Sequence, residues 1–288
     1  MTTPPKIIYS LNVQPLVEGR WSQGNRLEET IYMTALSVLY SHIWYPEIEL
    51  FVDQTAFQFL HMLPCKVTVM DHDEHNDLWM KSKIHAMARQ EAPFVHLDTD
   101  VFITKPIDFD FEHCILERKE LAYQRHYKLQ VDFFSKLHGL PPSWHTNLGY
   151  SFNCGVFGFA DMNLKNQFID NYYRLEHVYK ANQKAFEPIK RIGYEPCIVI
   201  EQYNLACLLA DKNISPTLLL SSDSQREQAL KAKEIGYNHL FGITKYKPNI
   251  RHEIDQQLAH VFPYWYEQVK KAIESHRATG SRKMRRVV

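Results

Sequence analysis

The sequence contains no cysteine pair at C-x-x-C spacing, no surplus of either charge and no long apolar run, and each absence removes a class of protein. The five cysteines (Cys65, Cys114, Cys154, Cys197 and Cys207) are scattered and odd in number. Neither a disulfide framework nor a structural zinc site is expected from them. They read instead as small buried apolar residues in a reducing compartment. Lysine plus arginine equal aspartate plus glutamate, at 33 each. Binding to nucleic acid normally requires a basic surplus that neutralises phosphates, so nucleic acid is not expected as a partner. The apolar run after Lys6 covers only residues 7–11, too short for a signal-peptide core or a membrane span. A cytoplasmic protein is therefore expected. No Gly/Ser-rich linker, internal repeat or low-complexity stretch marks a domain boundary.

What is present suits a folded α/β chain. The chain has 288 residues, 45% of them hydrophobic, enough to bury a core without covalent staples. We expect one domain over residues 1–274 and a basic tail over 275–288. The periodicity predicts strands at 6–12, 48–52, 67–70, 94–97, 152–159 and 217–220. It predicts helices at 27–43, 76–90, 164–179, 201–211 and 263–275. Strands alternating with helices imply a mostly parallel, twisted sheet flanked by helices. Ligands of such sheets collect at the carboxyl ends of the strands.

One strand end is chemically distinctive. Phe94-Val95-His96-Leu97 is almost continuously apolar and runs into Asp98-Thr99-Asp100. If the backbone stays extended, its period of two points both carboxylates the same way. Two adjacent carboxylates repel unless a cation lies between them, and Mg²⁺ or Mn²⁺ prefers such oxygen ligands. The alternative is a surface turn in which Asp and Thr are ordinary residues.

A second pattern, His239-x-x-Gly242-x-x-Lys245, follows far along the chain. A neutral imidazole is a suitable third metal ligand. Glycine lets the backbone approach a diphosphate, and a lysine ammonium can meet phosphate oxygens as charge develops on them. Taken alone the pattern is weak in a chain of 15 histidines; with the paired aspartates it gains weight.

In this order the motifs resemble those of the retaining nucleotide-sugar glycosyltransferases that include glycogenin and bacterial lipopolysaccharide galactosyltransferases. Trp79-Met80-Lys81 stands where that family has Tyr-x-Arg, and Asn153-Cys154-Gly155-Val156 is similar to its N-x-G-hydrophobic turn. Glu201-Gln202-Tyr203-Asn204 is similar to its D-Q-D-x-x-N helix start, and His239-x-x-Gly242-x-x-Lys245 to its H-x-x-G-x-x-K-P-W element. The resemblance spans about residues 6–245. Three departures are visible: lysine replaces arginine at Lys81, glutamate replaces aspartate at Glu201, and Tyr246-Lys247-Pro248 stands in place of Pro-Trp.

The resemblance implies a GT-A type, Rossmann-like fold and transfer of a hexose from a nucleotide-diphosphate sugar, a uridine diphosphate sugar by the family pattern, with retention; an inverting reaction would instead need a general base such as Asp132 or Asp161. The acceptor, which the motifs do not identify, would be a glycan, a lipid-linked molecule or another molecule, with polysaccharide biosynthesis as the expected setting. Asp98, Asp100 and His239 would hold Mn²⁺ or Mg²⁺. Lys245, the Gly242 backbone, Thr99 and Lys81 or Lys83 would contact the donor, with Ser10 and Asn12 near its nucleoside. Asn153, Glu201 and Gln202 would border the anomeric carbon as catalytic residues.

Several readings stay open at this stage. A haloacid-dehalogenase-like phosphatase would use Asp98 as nucleophile, and a carbohydrate-binding protein could keep the fold without turnover. The stretch 123–150, with Tyr127, Trp144, His145 and Asn147, reads either as a sugar-stacking groove or as ordinary packing. The tail, with Arg277, Arg282, Lys283, Arg285 and Arg286, reads either as a solvated terminus or as a peripheral contact with an anionic membrane.

Overall fold

The computed structural model describes residues 5–17, 26–70 and 78–284. Its strands are β1 (Lys6–Leu11), β2 (Ile48–Val52), β3 (Lys66–Val69), β4 (Phe94–Leu97), β5 (Val101–Ile103), β6 (Cys114–Leu121), β7 (Tyr150–Phe159), β8 (Thr217–Leu218) and β9 (Tyr237–His239). Its helices are α1 (Gln14–Val17), α2 (Arg26–Trp44), α3 (Gln54–Leu60), α4 (Lys81–Ala88), α5 (Arg125–Phe134), α6 (Met162–Ala181), α7 (Gln183–Arg191), α8 (Asn204–Asp211), α9 (Gln225–Ile235), α10 (Pro248–Val261) and α11 (Pro263–Met284). A π-helical turn, Val199–Tyr203, leads into α8, and a 3-10 turn, Gly242–Tyr246, precedes α10. The architecture is the α/β one that the alternation predicts. The described residues fall into two compact units.

One unit lies within Lys6–Asp73, Asp98–Ile107 and Lys233–Val288. Its strands run in the order β3-β2-β1, all parallel. All of β2 is buried, as a parallel strand covered on both faces should be. Its one acid, Glu49, is held by Lys6 Nζ at 2.5 Å, Lys66 Nζ at 2.8 Å and Thr68 Oγ1 at 2.6 Å. Burial pushes this carboxyl up, but the two lysines and the threonine outweigh it and lower it to about 2. Asp53 caps α3 by accepting from the Ala56 N–H at 2.7 Å, and also accepts from the Val13 N–H just past β1. In the same unit α11 packs on α2, with Tyr32 and Tyr266 stacked at 5.8 Å. The last helix continues well beyond the predicted residue 275, and Arg277 pairs with Glu28 of α2.

The other unit lies within Glu74–Leu97 and Asp108–Ala232, apart from the extreme amino terminus. Its strands run β4-β7-β6-β8. β7 is antiparallel to β4 and β6, and β6 is parallel to β8. β7 is buried along nearly its whole length. At Gly158 an added Cβ would meet Phe94 O at 2.6 Å, so glycine permits β4 and β7 to lie at this distance. Asp161 caps α6 through the Asn163 and Leu164 N–H groups, at 2.9 and 3.0 Å. All five cysteines are free thiols.

Three expectations change in detail. α4 begins at Lys81: residues 78–80 are not helical, and residues 76 and 77 lie outside the described residues. The helix expected from 201 begins at Asn204, after the π turn. β5, β6, β9 and helices α3, α5, α7, α9 and α10 lie outside the predicted elements, although α5 and α7 carry an apolar stripe at helical spacing. For α9 the reason is physical: it buries no residue and so has no apolar stripe.

Candidate metal centre

After β4 the chain does not stay extended. Residues 99 and 100 turn, and the Val101 N–H donates to Asp98 O at 3.0 Å. The period-two argument for Asp98 and Asp100 is therefore corrected: a tight turn sets their directions. That turn feeds β5, which pairs antiparallel with β9 so that Val101 faces His239. The Leu240 N–H donates to Asp100 O at 3.0 Å, and the Thr104 N–H to Gly236 O at 2.8 Å, closing both ends of this small ladder.

The two-stranded ladder brings three potential ligands together. One ligand atom each from Asp98, Asp100 and His239 lies within 4.8 Å of the others, the one such trio among the described residues. His239 Nε2 is 3.5 Å from Asp100 Oδ1, and Lys245 Nζ is 2.7 Å from Asp100 Oδ2. Asp100 is 5% exposed. Burial pushes its carboxyl up, yet the Lys245 ammonium and the His239 ring outweigh burial and hold it well below the usual range. Burial works against the charge on Lys245 too, and Asp100 reverses this, raising its pKa. Asp100 and Lys245 are thus a charged pair. Two carboxylates and an imidazole are a donor set that suits Mn²⁺ or Mg²⁺.

Gly242 lies three residues beyond His239, at φ +66°, and no atom stands within 4 Å of where a Cβ would be. The left-handed backbone explains the glycine, and the open space leaves its backbone approachable. Phe241, 54% exposed, meets the His239 ring edge-on at 5.5 Å.

The remaining predicted residues divide between the units. Ser10 and Thr99 are half-buried in the unit that holds the trio. Asn12, in the same unit, accepts from the Gln14 N–H at 3.0 Å. Lys81, Lys83, Asn153, Glu201 and Gln202 belong to the other unit. Lys83 is buried 2.8 Å from Glu201 Oε1 and donates to Cys154 O at 3.1 Å. Lys81 pairs with Glu176 at 3.0 Å, which Lys180 also reaches at 2.7 Å.

Asn153 meets Glu120, a residue that sequence reasoning missed, and Gln202 is joined to it through Tyr127. Asn153 Nδ2 donates to Glu120 Oε1 at 3.0 Å, and the Tyr127 hydroxyl bonds Glu120 Oε2 at 3.0 Å and Gln202 Oε1 at 2.5 Å. Arg118 adds a contact to Glu120 at 3.2 Å. The available signal was the alternation at the end of β6, where Arg118 and Glu120 share a face. In the aromatic stretch 123–150, Tyr127 is fully buried, and Trp144 packs against Phe134 and Tyr203 with its N–H on Ser135 Oγ. Tyr127 is thus core packing, and Trp144 is half-buried.

The family model DUF6734, a family of unknown function, matches residues 19–272. The chain belongs to the DUF6734 family. No curated protein sequence matches this DUF6734 member. Among solved structures it is similar to the bifunctional glycosyltransferase WbbM, with a TM-score of 0.49 and 10% identity over 94% of this chain and 52% of that one. It is also similar to the galactosyltransferase LgtC, with a TM-score of 0.43 and 12% identity over 91% and 99% of the two chains. The glycosyltransferase GlyE of Streptococcus pneumoniae gives a TM-score of 0.42 and 9% identity over 96% and 64%. The DUF6734 chain thus spans about half the length of WbbM. Matches at this level carry no argument about chemistry, which has to come from the residues themselves.

Proposed function

We propose that this DUF6734 chain is a metal-dependent glycosyltransferase of GT-A type that moves a hexose from a nucleotide-diphosphate sugar to a saccharide or lipid-linked acceptor. The observation that carries the reading is the convergence of Asp98, Asp100 and His239, with Lys245 on the same carboxylate. Mn²⁺ or Mg²⁺ bound by this trio would supply Lewis-acid stabilisation of the departing diphosphate. The chain's own groups do the rest. Lys245 places an ammonium where phosphate oxygens gain charge, and the open backbone at Gly242 admits the diphosphate closely.

In the reaction the acceptor oxygen bonds to the anomeric carbon as the bond from that carbon to the diphosphate oxygen breaks. The electron pair leaves with the nucleoside diphosphate, which takes up the hydroxyl proton. The motif order supports retention and a uridine diphosphate donor. The test is a panel of nucleotide sugars assayed for transfer and hydrolysis with Mn²⁺ and with a chelator, using the wild type, Asp98→Ala and Asp100→Ala. Full metal-dependent turnover in both variants would end the reading. An aspartyl-phosphate trapped at Asp98 would replace it with the phosphatase alternative.

A further inference from the structure

Tyr127 is buried, and Trp144 packs against Phe134 and Tyr203. A cavity of about 290 Å³ opens where α2, the Gly242–Tyr246 turn and α10 meet, lined among others by Glu29, Tyr32, Lys245, Tyr246, Arg251 and His252. We propose that this cavity binds a neutral saccharide, the acceptor of the transfer reaction. The inference rests on the glycosyltransferase reading and adds a binding site to it.

Three observations converge on that ligand class. The first is shape and surface. The volume lies at the small end of small-molecule sites, roughly 300 Å³ upward, and suits a single ring. Tyr32 and Tyr246 contribute aromatic surface, and the Arg26 guanidinium lies over the Tyr246 ring at 4.6 Å, which restrains that ring. Aromatic surface suits the C–H face of a pyranose.

The second is the polar wall. Arg251 Nε is 2.8 Å from Glu29 Oε1, and the arginine side chain is 41% exposed against 11% for the glutamate. The pair keeps N–H donors and carboxylate lone pairs side by side, and a sugar's neighbouring hydroxyls each donate and accept. Burial already pushes the Glu29 carboxyl up, with Arg251 opposing. Glu29 and Asp255 balance Lys245 and Arg251 in the lining, so neither an anion nor a cation is selected.

The third is position. Lys245 belongs to the cavity wall, and its ammonium lies 2.7 Å from Asp100. The acceptor oxygen must reach an anomeric carbon that a single oxygen separates from the diphosphate. An acceptor site therefore has to border the group that holds the diphosphate, and one lysine side chain spans the interval here.

Saturation-transfer NMR on the full chain tests the site, with the methyl glycosides of glucose, galactose, mannose and N-acetylglucosamine as probes. At least one should bind the wild type, and Tyr246→Ala and Arg251→Ala should each weaken that binding about tenfold, the loss of one anchoring contact. His252→Trp, at an exposed rim position, should obstruct the mouth without removing core packing, and so decides the matter if the other two variants fold poorly. Binding by none of the four probes, or undiminished binding in the folded variants, overturns the proposal. Saccharide binding here without transfer from any nucleotide sugar would keep the site and sink the transferase reading. Transfer with unchanged acceptor KM in all three variants would do the reverse.

Discussion

Lys245 reaches 2.7 Å from Asp100, a carboxylate that also faces His239. The chain therefore keeps a lysine on one of its own candidate metal ligands, and the buried carboxylate is neutralised by protein charge. This arrangement makes the ammonium and a divalent cation competitors for one acid, and several measurements can read that competition.

Lys245→Met should strengthen Mn²⁺ binding in the absence of donor, by roughly threefold or more, because a competing cation is removed. It should also lower the melting temperature of the metal-free protein, since Asp100 loses its partner, and Mn²⁺ should restore it. Turnover should fall about 100-fold if the ammonium meets phosphate oxygens in the reaction. Calorimetric titration and thermal melts check the first two, and unchanged affinity would contradict the competition.

Asp98→Ala and Asp100→Ala should separate function from stability. Both should abolish Mn²⁺ binding. Asp98 is half-buried and its removal should cost little in folding. Asp100→Ala strands the Lys245 ammonium and should destabilise the metal-free protein by on the order of 2 kcal/mol. Equal urea midpoints for the two variants would contradict the buried pair.

Gly242→Ala meets no clash, but places a side chain at φ +66°. The expected stability cost is about 1 kcal/mol. If the diphosphate lies against this backbone, donor KM should rise while the Mn²⁺ dissociation constant stays put. A variant with both constants unchanged would remove Gly242 from the donor site.

Glu49 sets an acid limit. Its folded carboxyl is lowered from the ordinary 4.5 to about 2, so the unfolded chain binds the proton first as pH falls. Its contribution is present in full above about pH 5 and is lost as pH drops toward about 2. Glu49→Gln should be less stable at pH 7 and should show a flatter decline across that window. Urea titrations from neutral to acid pH check this; parallel curves for the two proteins would assign the acid sensitivity to other groups.

Much of the α/β frame was legible in the residues. β2 and β4 lie where the apolar runs predict, because a strand covered on both faces is apolar at nearly every position, Glu49 and His96 being the single exceptions in each. β6 was missed because it passes from three apolar residues into the charged run Glu117-Arg118-Lys119-Glu120, which resembles neither a core strand nor a loop. β9 is three residues long, too short for any period to register.

The candidate centre was legible as residue types and order, with the geometry misassigned. Asp98 and Asp100 were expected together through extended backbone, whereas a turn brings their carboxylates to His239. The Glu120 cluster with Asn153, Tyr127 and Gln202 was invisible, because its members come from β6, β7, α5 and the π turn and share no local spacing.

The linear chain alone determined that oxygen and nitrogen ligands for a hard cation exist, and that apolar runs alternate as an α/β fold requires. Chemical identity and local period are properties of neighbours along a chain, so they can be read there. Which groups actually meet was decided by the tertiary structure. The pairing of β5 with β9 closes the 140-odd residues between Asp98 and His239 into one contact, and puts Lys245 on Asp100. Such contacts depend on register and burial, which no short window of residues contains.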